Sequence, residues 1–183
     1  CGIIPPMVTP LSEQNKLDVE GLCRLIEYIL GGKVHGLFIL GTTGEGPSLS
    51  HELRRELIKR TCEEVDSRVP VLVGVTDTSF SESVSIAYYA AEIGASAAVL
   101  APPYYYPAGQ PEILEYLMHI TQQILLPIFL YNIPGCTKLV FDPETAQKAG
   151  NIPGIVGIKD SSANMLYFQK LKRVFESRKD FHC

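Results

Sequence analysis

The sequence predicts a parallel α/β fold. Three observations carry the prediction: short apolar runs recur along the chain, segments of helical period lie between them, and the two alternate at about thirty residues per unit. With 183 residues, 46% hydrophobic and 20% charged, the chain can bury one sizeable core.

The elements follow in order. Ile3–Val8 is the first apolar run. Val19, Leu22, Ile26 and Ile29 then make a helical stripe. Gly36–Leu40 is the second run. Ser50 is placed to cap a helix carrying Leu53, Leu57, Ile58 and Val65. After Val71–Val75, Ser79 and Glu82 form a capping-box pattern ahead of Val84, Ala87 and Ala91. Ala97–Ala101 and Ile128–Tyr131 are the next runs, and Asp142-Pro143 sets a cap before a proline at the first helical position. Ile155–Lys159 is the last full run, and Asp180-Phe181-His182-Cys183 reads as the start of a seventh strand. Runs rich in Val, Ile and Leu and bounded by Gly or Pro suit strands buried on both faces.

Two architectures share this alternation, an open doubly wound sheet and a (β/α)8 TIM barrel. A dinucleotide-binding open sheet calls for G-x-G-x-x-G after its first strand, but the chain there reads Thr9-Pro10-Leu11-Ser12. The glycine-rich Gly41-Thr42-Thr43-Gly44-Glu45-Gly46 follows the second run and lacks the Gly-Lys-Ser/Thr ending of a P-loop. The barrel is the better reading. A complete barrel has eight units and about 250 residues, whereas this chain supplies only about the first six. Residues 1–183 are therefore expected to be an incomplete TIM-barrel catalytic domain, the N-terminal part of a longer protein, poorly soluble and inactive by itself.

Composition excludes several classes. Sixteen Lys+Arg against twenty Asp+Glu give a net charge of −4 with no basic block, so no nucleic-acid partner is expected. No apolar run reaches the length of a membrane span, and the N-terminus lacks a signal-peptide layout. Cys1, Cys23, Cys62, Cys136 and Cys183 are odd in number and form no C-x-x-C pair, which points to a reducing, cytoplasmic setting. The histidines have no metal-site spacing.

In a parallel α/β array, chemistry sits at the C-terminal ends of the strands. Lys159 closes the apolar run Ile155-Val156-Gly157-Ile158, where desolvation favours a free amine able to attack a ketone or aldehyde. The plainer reading is a snorkelling lysine paired with Asp160. Gly41-Thr42-Thr43-Gly44 offers hydroxyls and successive N–H groups that suit a carboxylate or phosphate, or else is an ordinary strand–helix turn. Tyr131 is placed either to move protons at a bound carbonyl or to pack as an aromatic. Tyr104, Tyr105 and Tyr106 point in different directions, so at least one reaches the rim or a subunit interface. Glu45 reads as loop support.

These motifs together resemble the dihydrodipicolinate synthase / N-acetylneuraminate lyase family of class I pyruvate aldolases. The likeness runs through Gly36-Leu37-Phe38-Ile39-Leu40-Gly41-Thr42-Thr43-Gly44-Glu45, Pro103-Tyr104-Tyr105, Tyr131-Asn132-Ile133-Pro134 and Gly157-Ile158-Lys159-Asp160-Ser161. It implies a (β/α)8 barrel, a tetramer built from dimers, and a lyase needing no cofactor. By resemblance, Lys159 forms the imine with pyruvate or another 2-oxo acid, and Tyr131 shuttles protons. Thr42 and Thr43 hold the carboxylate, with Thr42 also in a hydroxyl relay. Tyr105 resembles the relay tyrosine inserted from a neighbouring subunit.

One position departs from the pattern. The synthases of the family carry an arginine two residues after the proline of the tyrosine motif, to bind the second substrate's carboxylate; this chain has Cys136 there, with Lys138 nearby. A neutral side chain makes no bidentate ion pair. The expected activity is therefore aldol cleavage or condensation of pyruvate with an aldehyde, on a 2-oxo-3-deoxy sugar acid or in the manner of N-acetylneuraminate lyase. Alternatives are dihydrodipicolinate synthase, a 2-oxo-3-deoxy acid dehydratase, a pyridoxal-phosphate barrel, and a non-catalytic or inactive fragment. Cys136 itself reads as a small lining residue.

Overall fold

The computed structural model describes residues 2–183, apart from the side chain of Gln14; Cys1 lies outside the described residues. Its strands are β1 (Leu37–Ile39), β2 (Val71–Gly74), β3 (Ala97–Leu100), β4 (Ile128–Asn132) and β5 (Ile155–Asp160), in the sheet order β1-β2-β3-β4-β5. The helices are α1 (Val19–Gly31), α2 (His51–Val65), α3 (Phe80–Glu92), α4 (Gln110–Thr121), α5 (Pro134–Thr137), α6 (Pro143–Gly150) and α7 (Met165–Val174). The chain divides into two compact units, Cys1–Val75 with Ser85–Ala98, and Thr76–Val84 with Val99–Cys183.

In the first unit, β1 and β2 pair in parallel, Leu37 opposite Val71 and Ile39 opposite Val73. The expected strand Ile3–Val8 does not form a ladder. It meets β1 through the single parallel bridge Pro6–Phe38, held by Met7 N–H to Phe38 O (2.8 Å) and Phe38 N–H to Pro5 O (3.0 Å). Pro5 has no N–H to donate, so pairing with β1 does not extend ahead of the bridge. Five strands, rather than the six anticipated, are therefore regular.

Helix α1 starts where the Asp18 carboxylate accepts the Gly21 N–H (2.9 Å), and α2 where the Ser50 hydroxyl accepts the Leu53 N–H (3.2 Å). Both caps satisfy donors that the first helical turn cannot. The two helices pack together, and Leu22, Ile26, Leu57 and Ile58 are sealed from solvent. That core is the amphipathic stripe the 3.6-residue period demands.

In the second unit, β4 and β5 pair in parallel over five positions, from Ile128–Ile155 to Asn132–Asp160, with an irregularity after Ile128. Ser79 opens α3 by accepting the Glu82 N–H (3.4 Å), while its own N–H goes to Asp77 Oδ1 (3.0 Å). Pro143 begins α6 as expected, but the Asp142 side chain makes no cap bond; Gln110 Oε1 holds the Asp142 N–H instead (3.0 Å). Ile113, Leu117 and Ile120 of α4, Phe141, and Leu171 of α7 fill this unit's core. Residues 180–183 run beside β5 through a parallel bridge between Gly157 and His182, with Ile158 N–H bonded to His182 O (2.7 Å).

Gly157 allows that approach. A Cβ there would lie 2.6 Å from both His182 O and the Phe129 ring. Gly157→Ala should therefore cost about 1–3 kcal/mol through overpacking. The urea midpoint reads this directly, and an unchanged midpoint would contradict the contact.

Candidate active site

The first unit holds the loop after β1. Leu40 takes a left-handed backbone (φ 57°) and turns the chain away from the strand axis. Gly41 O then accepts both Gly44 N–H (3.1 Å) and Gly46 N–H (3.2 Å), and Thr42 O accepts Glu45 N–H (3.1 Å). Thr9 Oγ1 pins the loop by donating to Gly44 O (2.7 Å). Gly44 has no room for a side chain, since a Cβ would meet Met7 O at 2.8 Å. Thr42 and Thr43 stand exposed on this fixed turn. Among the described residues, neither the N–H nor the hydroxyl of Thr43 has a hydrogen-bond partner. The loop thus presents an open donor of the kind that receives an anion. Glu45 joins the loop through its backbone, in a left-handed conformation (φ 53°), and its side chain makes no cap hydrogen bond to the short helical turn that follows.

In the second unit, Tyr131 and Lys159 stand opposite each other in the β4–β5 register. Residues paired across parallel strands share a face, so the register alone brings ammonium and ring together. Lys159 Nζ lies 3.8 Å from the Tyr131 ring centroid and donates to Ser161 Oγ (2.9 Å). The ring is buried and the lysine half-buried. A cation over an aromatic face is attracted by the ring's quadrupole. The plainer pairing with Asp160 does not occur: that carboxylate accepts Asn132 Nδ2 (2.7 Å), Ser162 N–H (3.2 Å) and Ser162 Oγ (2.9 Å). An amine that has lost its proton is a nucleophile toward a ketone or aldehyde.

Tyr105 is 75% exposed and meets Tyr106 edge to face at 5.0 Å. It is not gathered to the Tyr131–Lys159 pair by any described contact. Cys136 is exposed on the short helix α5, and the neighbouring Lys138 Nζ folds back onto Gly135 O (3.1 Å). Cys136, Cys23, Cys62 and Cys183 are free thiols; Cys1 lies outside the described residues.

Sequence reasoning did not find Asn132 or Ser161 as part of this site. The available signal for Asn132 was an amide directly after the apolar run Ile128–Tyr131, a polar residue where a buried strand has not yet ended.

The sequence matches the Dihydrodipicolinate synthetase family over residues 1–182. The chain belongs to this family. A 4-hydroxy-tetrahydrodipicolinate synthase of Polynucleobacter asymbioticus is 34% identical over 176 residues, covering 94% of this chain and 57% of its own length. A dihydrodipicolinate synthase structure from Bacteroides thetaiotaomicron is 54% identical with a TM-score of 0.95, over 98% of this chain and 60% of that one. A 2-keto 3-deoxygluconate aldolase from Picrophilus torridus is 34% identical with a TM-score of 0.91, over 98% and 64%. The chain thus spans about three fifths of the length of these family members. Their likeness supports the α/β parallel-sheet fold of the TIM-barrel class. Among the described residues, no helix is long and apolar enough to cross a membrane.

Tyr167 on α7 braces the region behind the pair by donating to Phe141 O (2.6 Å). Burial first, then the Asp160 and Asp142 carboxylates, push its hydroxyl above the ordinary tyrosine pKa. The unfolded chain ionises near pH 10 while the folded one still holds the proton, so stability falls as pH rises past about 10. Tyr167→Phe should lose about 1 kcal/mol at pH 7 with the hydrogen bond. It should also flatten the alkaline decline. Urea unfolding at pH 7 and above pH 10 measures both, and an equally steep decline in the variant would contradict the assignment.

Proposed function

We propose that the protein carrying this chain is a class I, lysine-imine lyase that joins pyruvate to an aldehyde or releases it from a 2-oxo-3-deoxy sugar acid. The observation that carries this reading is the Lys159 amine held over the Tyr131 ring by strand register. In the proposed cycle, the 2-oxo acid's carboxylate is received by Thr42 and Thr43. Lys159 Nζ attacks the C2 carbonyl and the oxygen leaves as water, giving an iminium. The iminium draws electrons from C3, so either a C3 proton or the C3–C4 bond is released to give an enamine. In cleavage, the C4 hydroxyl loses its proton as the aldehyde departs. The enamine is then protonated at C3, and water returns the lysine and pyruvate. Tyr131 carries the protons, with Thr42 and Tyr105 as its relay.

Metal and dissociable cofactor have no part in this cycle, because the iminium itself is the electron sink. Tyr105, exposed in its own subunit, fits a role in a neighbouring one, which agrees with a tetramer built from dimers. The proposed location is the cytoplasm.

Substrate choice rests on Cys136. An exposed thiol two residues after Pro134 offers no guanidinium to an acidic acceptor. This favours a neutral hydroxyaldehyde partner, and the aldolase-named relative at 34% identity is in keeping with it. The second reading is the synthase, favoured by the 54% identity to the structure named dihydrodipicolinate synthase.

Rates with a panel of aldehydes and 2-oxo-3-deoxy acids separate the two. The expected result is a higher kcat/KM for neutral hydroxyaldehydes than for an aldehyde bearing its own carboxylate; the reverse order would establish the synthase. Lys159→Ala should abolish turnover, and Tyr131→Phe should lower kcat roughly 10²–10⁴-fold. Equal turnover in Tyr131→Phe and wild type would remove the proton-carrying role.

A further inference from the structure

One residue beyond the Tyr131–Lys159 pair, the same two strands are joined again. Asn132 and Asp160 are the next register partners, and Asn132 Nδ2 donates to Asp160 Oδ1 at 2.7 Å. Successive strand residues point to opposite faces, so this bond lies behind the sheet while the amine and phenol lie in front. Asn132 has no solvent exposure, and its side-chain oxygen accepts the Phe141 N–H (3.1 Å). Its backbone oxygen accepts the N–H of Ser161 (2.8 Å), the residue whose hydroxyl holds Lys159 Nζ. Asp160 in turn accepts both the N–H and the hydroxyl of Ser162. One buried amide therefore fixes β4, the end of β5 and the loop that carries the lysine's hydrogen-bond partner.

We propose that Asn132 and Asp160 are positioning residues, a clamp that sets where the Lys159 amine stands relative to the Tyr131 hydroxyl. The inference rests on the imine reading of that pair. A parallel pair free to slide or splay at its last position would move the amine by a fraction of a residue step. Displacement on the ångström scale costs about 10²-fold in a positioned reaction. An amide opposite a carboxylate is also directional: the amide must donate, and the carboxylate can only accept.

The test uses the complete protein and the rate of borohydride-dependent trapping of pyruvate, with kcat and KM for turnover. Asp160→Ala leaves the bond from Phe141 to Asn132 in place. It should lower trapping and kcat about 10²-fold while pyruvate KM changes by less than about threefold. Asp160→Asn keeps an acceptor for Asn132 and should stay close to wild type. Asn132→Asp sets two carboxylates against each other and should lose activity. Should Asn132→Asp fail to fold, the Asp160→Ala and Asp160→Asn pair still decides. Wild-type trapping is the control: its absence at Lys159 overturns the imine reading and this inference with it. Normal trapping and kcat in wild type and Asp160→Ala alike overturn the clamp alone.

Discussion

The register between β4 and β5 is the constraint on which the candidate chemistry depends. Parallel pairing puts Tyr131 opposite Lys159, and from that single alignment follow the shared face and the short distance. A shift by one residue would send Lys159 to the opposite face of the strand and bring Asp160 forward in its place. The structure resists that shift at two points along the ladder. Gly157 lets Phe129 and the His182 segment close over the middle of β5, and Asn132 bridges to Asp160 at its tip.

The surrounding architecture supports this alignment by satisfying backbone and side-chain polar groups near it. Phe141 shows the economy of the arrangement. Its N–H is taken by Asn132 and its oxygen by Tyr167, while its ring is fully buried. A strand end, a connecting segment and a helix are thus tied through one residue's backbone. In the other unit the threonine loop is shaped by comparable means, with Gly41 O accepting two N–H groups and Thr9 pinning Gly44, leaving the Thr43 donors outward. Each element of the proposed function is a short polar segment held rigid by the buried strand before it.

Much of this was legible in the sequence, and the limits have physical causes. Buried parallel strands announce themselves as apolar runs between Gly and Pro, and five of them are found where expected. The first makes only one bridge, and Pro5 removes a donor facing β1 that apolar content alone does not report. Asp142 sits at its helix start as the pattern demands, yet its N–H is met by Gln110, a partner 32 residues away that local spacing cannot reveal. Lys159 and Tyr131 stood out because a charged and a phenolic group end apolar runs. The Asn132–Asp160 bond did not, because which side chains meet across two strands is set by register, and the irregularity after Ile128 enters that register unseen. The plainer reading of Lys159 paired it with Asp160, its neighbour in sequence, although adjacent strand residues face apart.

The central claim is that Lys159 is the residue that binds a 2-oxo acid covalently. Incubating the complete protein with pyruvate, reducing with borohydride and mapping the modified peptide tests it most directly. The account predicts a single reduced pyruvate adduct on Lys159, in the peptide that also carries Asp160 and Ser161. A folded, full-length protein that acquires no adduct, or acquires it on another lysine, would contradict it.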